Sequence, residues 1–173
     1  MPLRNLAVTA IGVDRPGIVT AVTEVLHERG ANITDSSMTT LGGNAAIMLI
    51  AACRDEPETL EGALESATRD YGLSVHVSRA AEGRASPPPT HIVTVYGSDR
   101  PGLLHQAATA LADRSVNITD LVTQLLEGER NVSACALAVT VPADLDMHAL
   151  QAAVSAAVGD VEVHMRPADI ETY

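Results

Sequence analysis

Aromatic and basic residues are scarce in this chain of 173 residues. It contains three Tyr and neither Phe nor Trp, so it lacks the rings on which single-stranded nucleic acids stack. Lys and Arg number 11 against 22 Asp and Glu, which gives a formal net charge of −11. Because such a surface repels phosphate backbones, we expect no direct contact with nucleic acid. Any control of genes would then go through another protein.

Long apolar runs are also missing. The longest, Ala45 to Cys53, has nine residues, about half of the ~18 that suggest a membrane span. No signal peptide is apparent at the N-terminus, so we expect a cytoplasmic protein that does not associate with membranes.

Residues that could carry chemistry are few and scattered. The two cysteines, Cys53 and Cys135, lie on apolar segments with no Cys or His within four residues, which favours buried thiols over a metal site. The six histidines accompany no nucleophile motif. His76 and His164 occupy matching positions, and we interpret them as residues of an exposed sheet face. We therefore expect no catalytic residue, no metal, no cofactor and no enzymatic activity.

A four-residue motif, Asp-Arg-Pro-Gly, occurs at 14–17 and again at 99–102. The register is kept beyond it, because Asn-Ile-Thr-Asp at 32–35 returns at 117–120. A repeat of this length predicts two copies of one domain. We expect these domains to span 1–81 and 91–173. Residues 82–90 would form a linker whose prolines favour an extended conformation.

Both copies show the same order of predicted elements: strand, helix, strand, strand, helix, strand. This order is typical of the ferredoxin-like βαββαβ fold, an α+β architecture with a four-stranded antiparallel sheet and both helices on one face. We expect Asp14 to cap the first helix through its carboxylate and Gly30 to end it in the left-handed conformation. In the second copy, we expect a hairpin turn over 127–130 and a helix over 144–158.

The junction between the first strand and first helix is the best candidate for a binding site. A helix start presents unpaired N–H groups and a partial positive charge, so it suits a carboxylate. Gly17 and Gly102 have no side chain to block close approach, while Asn32 and Asn117 offer both a donor and an acceptor. The alternative is structural: Asp caps the helix, Pro-Gly shapes the turn, and Asn ends the helix. The spacing alone does not decide between the two.

The duplicated motifs resemble those of ACT domains. Two such domains alone resemble the tandem ACT regulators of the glycine cleavage repressor family. The resemblance implies amino-acid binding where the loop before the first helix of one domain faces the second strand of another. The implied ligand-binding residues are Asp14, Arg15, Pro16, Gly17, Ile18, Asn32, Ile33, Asp99, Arg100, Pro101, Gly102, Leu103, Asn117 and Ile118. With so few aromatic residues, we expect a small ligand such as glycine or serine.

These features predict a regulatory protein that binds an amino acid and acts on transcription or metabolism through a protein partner, a regulator or an enzyme. A homodimer is compatible with this prediction. One alternative is a protein–protein interaction module without a ligand. Another is a separate regulatory subunit of an amino-acid biosynthetic enzyme.

Overall fold

The computed structural model describes residues 2–81, 87–98, 100–126 and 132–168. The chain divides into two units, Met1–Gly83 and Arg84–Tyr173, and each is described by itself. The finer expected bounds, 1–81 and 91–173 with a linker at 82–90, stay a prediction. Most of that linker, the expected turn at 127–130 and Asp99 lie outside the described residues.

The first unit has the predicted element order. It contains the strands β1 (Arg4–Val13), β2 (Asn32–Leu41), β3 (Asn44–Cys53) and β4 (Ser74–Arg79), with the helices α1 (Ile18–Glu28) and α2 (Pro57–Thr68). A 3-10 turn over Arg69–Tyr71 extends α2. The strands form one antiparallel sheet in the order β2-β3-β1-β4. The ferredoxin-like prediction is confirmed for this unit.

The second unit repeats the arrangement. It contains β5 (His91–Ser98), α3 (Leu103–Ala112), β6 (Asn117–Leu126), β7 (Val132–Thr140), α4 (Met147–Val158) and β8 (Glu162–Pro167). Its sheet order is β6-β7-β5-β8, again antiparallel. Helix α4 begins later than the expected residue 144, because the Asp146 carboxylate accepts the His148 N–H at 2.9 Å and caps the helix there.

Each core lies between the sheet and its two helices. In β1, Leu6, Val8 and Ala10 are buried while the residues between them are more exposed, the period-two pattern of a sheet with one covered face. Leu60 and Leu64 of α2 are fully buried against that face. Corresponding residues of α4 and β7 fill the core of the second unit. His76 and His164 are largely exposed, as expected for the open face.

The expected cap at Asp14 is wrong. Helix α1 begins at Ile18, and its N-cap is Gly17, with φ +98° and no side-chain cap. The Asp14 N–H instead donates to the Gly43 carbonyl at 3.0 Å. The Asp-Arg-Pro-Gly segment is a turn that reverses the chain, so the helix cannot start until the turn has closed at glycine. Helix α3 starts in the same way after Gly102, with φ +89°.

The expected end of α1 is confirmed. Gly30 has φ +61°, and its N–H donates to the His27 carbonyl while the Ala31 N–H donates to Leu26, both at 2.9 Å. This pair of bonds is the Schellman motif. The second unit makes the same motif with Ser115 at φ +58°.

Candidate functional site

The arginine of each Asp-Arg-Pro-Gly loop ties the loop to the end of the unit's second helix. Arg15 Nη2 donates to the Asp70 carbonyl at 2.5 Å, and Arg100 Nη2 donates to the Val158 carbonyl at 2.6 Å. A cation at the carboxyl end of a helix interacts favourably with unpaired carbonyls there. Arg100 also donates to Gln106 Oε1 at 2.8 Å. Both guanidinium groups therefore position the loop.

The residue after this carbonyl differs between the units. In the first unit it is Tyr71, whose ring centroid lies 5.3 Å from Arg15 Cζ. A Cβ on Gly17 would lie 2.7 Å from Tyr71 Oη. In the second unit the matching residue is Gly159, and a Cβ on Gly102 would meet nothing within 4 Å. Tyr71 thus closes the first loop over its glycine, and the second loop is open.

The first turns of α1 and α3 contain backbone N–H groups without an acceptor in their own helix. In α1, the Ala21 N–H donates to the Gly17 carbonyl at 2.9 Å. In α3, the Gln106 N–H donates to Gly102, also at 2.9 Å. Residues before that first bond have no acceptor within their helix. For α3 these include Leu104 and His105, beside the open loop.

The Asn-Ile-Thr-Asp repeat forms a β-bulge. Thr34 and Thr119 have no direct partner on the neighbouring strand, because the pairing register shifts across each of them. Their hydroxyls donate to the Ile50 carbonyl at 3.3 Å and the Ala138 carbonyl at 3.2 Å. Neither threonine was predicted as a site residue, although both stand inside the duplicated motif. The bulge is therefore a structural explanation for the occurrence of Asn-Ile-Thr-Asp in both units.

Within one unit, the two parts of the predicted site lie apart. Asn32 pairs with Ala52 of β3, whereas Val13, just before the loop, pairs with Asn44 at the other end of that strand. At a rise of ~3.4 Å per residue, these two positions along β3 are about 27 Å apart. Asn32 and Asn117 are exposed. A site that uses both parts therefore needs the asparagine of a different ACT unit.

The other predicted residues have varied environments. Ile18 and Leu103 are buried in their cores. Ile118 packs against the second core. Asp14, Arg15, Pro16 and Pro101 are exposed, and Gly17 is half-buried.

A groove runs beside the first helix of each unit, between that helix and the edge strand. In the first unit its volume is about 220 Å³ and its lining is mainly apolar, including Val19, Val22, Ile33, Met38 and Ile47. Of the predicted site residues, Ile33 lines it.

The groove of the second unit is larger and reaches the loop. Its volume is about 400 Å³. Three predicted residues, Arg100, Gly102 and Leu103, contribute to the lining. Opposite them lie Thr123 of β6 with Ser133 and Cys135 of β7, which were not predicted. The second unit therefore combines an open loop, free N–H groups and a groove.

The described residues hold no trio of His, Cys, Asp or Glu side chains arranged to bind a metal ion. Cys53 and Cys135 are buried free thiols, as expected. In the same part of the chain, no helix is both long enough and apolar enough to cross a membrane.

Known proteins share both the sequence and the fold. The ACT domain family model matches residues 4–78. The glycine cleavage system transcriptional repressor of Escherichia coli (strain K12) is 32% identical over 129 residues, which cover 72% of this chain and 68% of the relative.

Two solved structures match almost the whole chain. An unknown protein from Galdieria sulphuraria has a TM-score of 0.80 at 24% identity, covering 97% of this chain and 100% of that one. A structure provisionally assigned as a glycine cleavage system transcriptional repressor has a TM-score of 0.72 at 23% identity, covering 97% and 99%. These two show the fold of tandem ACT domains. The sequence match establishes that the chain belongs to the glycine cleavage system transcriptional repressor family of ACT-domain regulatory proteins.

Proposed function

We propose that this protein senses a small amino acid and regulates transcription or metabolism through a protein partner, without catalysing a reaction. The observation that carries the proposal is the second unit's loop. There Gly102 leaves open space, and helix-start N–H groups border a groove of about 400 Å³. A helix start of this kind suits a carboxylate.

Recognition of the two charged groups would be divided. The ligand's carboxylate would accept hydrogen bonds from backbone N–H groups after Gly102. Its ammonium would donate to an asparagine oxygen and to strand carbonyls. Since Asn117 lies at the far end of its own unit, we propose that a unit from a second copy of the chain supplies this part. Ligand binding would then favour a homodimer.

The affinity of such a ligand suits a sensor. At a ceiling of roughly 1.5 kcal/mol per heavy atom, an amino acid as small as glycine gains at most about 7.5 kcal/mol. This corresponds to a dissociation constant of a few micromolar at best. A ligand bound this tightly would report concentrations in the micromolar to millimolar range.

The charge of the chain favours action through a partner. A formal net charge of −11 opposes binding to DNA phosphates. We propose a cytoplasmic location, where a regulator or a biosynthetic enzyme would be the target. The ligand would shift the regulated equilibrium only by its difference in affinity for the two states of the complex.

One observation favours a second candidate, a protein interaction module without a ligand. All ten residues of β2 are exposed, and an exposed edge strand can pair with a strand of another protein. Gel filtration with and without amino acids separates the two. A ligand-dependent change in elution supports sensing, and an amino-acid-independent assembly supports the module.

The sensing proposal is tested by thermal unfolding of the full chain with each of the twenty amino acids at millimolar concentration. A ligand present at ~100 times its dissociation constant stabilises by about 2.7 kcal/mol, which raises Tm by roughly 5 °C or more. The amide of the responding amino acid, which lacks the carboxylate, is the matched control and should leave Tm unchanged. If none of the twenty amino acids shifts Tm, the chain is not a sensor of these ligands.

A further inference from the structure

We propose that the groove of the second unit selects amino acids whose side chain carries a hydroxyl, and that Thr123, Ser133 and Cys135 provide this selectivity. The groove of the first unit lacks the corresponding polar groups. This inference rests on the sensing function proposed above. It specifies the chemical class of the ligand and the unit that binds it.

Matching positions in the two units show the difference. Met38 pairs with Ile47 in the first sheet, and Thr123 pairs with Cys135 at the same place in the second. Ala45 of β3 likewise corresponds to Ser133 of β7, since they pair with Thr40 and Leu125. Three apolar side chains of the first unit, of which Met38 and Ile47 line its groove, are thus replaced by three that form hydrogen bonds.

The polarity of the second groove is concentrated at its floor. Along the edge strand the change is reversed, because Ser36 and Thr40 of β2 correspond to Leu121 and Leu125 of β6. The helix side contributes Leu104 and Ala108 together with His105. A few polar groups among apolar side chains are typical of a specific small-molecule site.

The Ser133 hydroxyl is buried and weakly satisfied, whereas Thr123 is exposed. Ser133 is 4% exposed and Cys135 is 3% exposed. The Ser133 hydroxyl contacts the Cys135 thiol at 3.8 Å, and the Thr123 hydroxyl donates to the same sulfur at 3.6 Å. Sulfur is a weak acceptor, and a buried hydroxyl without a strong partner lowers stability. Ala45 fills the matching position in the first unit, so the fold does not require a hydroxyl there.

A ligand bound at the loop could reach this polar floor, because both border the same groove. The same cavity is lined by Gly102 and Leu103 at the loop and by Ser133 and Cys135 at the floor. A ligand whose carboxylate meets the helix start would therefore direct a short side chain towards the floor. A hydroxyl on that side chain would give Ser133 a stronger partner than sulfur. An amino acid with a methyl group at that position would form no hydrogen bond with the Ser133 hydroxyl.

Isothermal titration calorimetry of the full chain with matched ligand pairs tests the inference. The pairs are serine against alanine and threonine against valine, which differ by one hydroxyl. We expect the hydroxylated member to bind about tenfold more tightly, as one well-made hydrogen bond allows. In the double variant Thr123→Val with Ser133→Ala, this preference should fall below about threefold.

The first unit offers a matched control. Thr23 lines the apolar groove, so Thr23→Val removes a hydroxyl there and should leave the serine preference unchanged. A preference that survives in the double variant, or is lost in Thr23→Val, overturns the inference while amino-acid binding stands. Absence of binding by every amino acid overturns the sensing function and this inference with it. If circular dichroism shows the double variant unfolded, Ser133→Ala alone is measured under the same criteria.

Discussion

The two loop glycines should respond differently to the same substitution. Gly17→Ala and Gly102→Ala add one methyl group to backbones with φ +98° and +89°. The left-handed region disfavours an L-residue by about 1–2 kcal/mol. Alanine recovers roughly 0.4–1 kcal/mol of this because the unfolded chain has less freedom. We expect the backbone to lower the free energy of unfolding by about 1 kcal/mol in either unit.

The first loop adds a steric cost. The new methyl at Gly17 would lie 2.7 Å from Tyr71 Oη and 3.0 Å from Cε1, whereas at Gly102 it meets nothing within 4 Å. Displacing packed atoms typically costs about 1–3 kcal/mol. Moving the Tyr71 ring also weakens its contact with the Arg15 guanidinium. Gly17→Ala should therefore cost about 2–4 kcal/mol and Gly102→Ala about 1 kcal/mol.

Urea unfolding of the full chain measures these costs. Circular dichroism is the suitable signal because the chain has no Trp, and hydrogen exchange of peptides assigns each loss to its unit. Tyr71→Ala completes a double-mutant cycle. In its background, Gly17→Ala should cost no more than Gly102→Ala does in the parent, a coupling of about 1–3 kcal/mol. Equal costs for the two single variants, or zero coupling, would refute the assigned role of Tyr71.

Two other predictions concern stability. Ser115→Gly should raise the free energy of unfolding by about 0.5–1 kcal/mol, since Ser115 has φ +58°, and Gly30→Ser should lower it similarly; urea unfolding checks both signs. The pKa of the Glu56 carboxyl is lowered, first by the hydrogen bond from Arg4 and then by the charges of Arg4 and Arg79. A lowered folded-state pKa gives stability that is present above the unfolded-state pKa and lost as pH falls through the folded-state value. Glu56→Gln should therefore lower Tm at pH 7, with a smaller difference from the parent at pH 3.

Local patterns were sufficient to predict the fold. The alternation in β1 and the glycine at the end of α1 each depend on nearby residues, and the repeat supplied the same pattern twice. The predicted cap at Asp14 was wrong because a hydrogen bond to a distant residue overrides the local capping preference. An acidic residue before proline fits a helix start, but the turn closes only at Gly17 and the Asp14 N–H is bonded to Gly43. Because that bond joins residues far apart in the chain, the local sequence does not predict it.

The site was harder to predict because its distinguishing contacts join distant parts of the chain. Tyr71 closes over Gly17 from beyond the second helix. The correspondence between Ala45 and Ser133 is hidden as well, because the longer second hairpin shifts the repeat. It becomes visible when the strands are aligned by their pairing with Thr40 and Leu125. Without that alignment, Ser133 looks like one more polar residue near a turn.

Comparison of the two units separates the residues that stabilise the fold from those that could recognise a ligand. The loop arginine and the bulge threonine make the same bonds in both units, so their repetition is explained by structure alone. The differences concern access to the loop, where Gly159 replaces Tyr71, and the groove floor, where Ser133 replaces Ala45. The first difference opens the loop of the second unit, and the second places a buried hydroxyl at the groove floor. Because a fold needs neither change, ligand selection is the simplest physical reason for finding them together in one unit, and the second unit is where binding should be sought first.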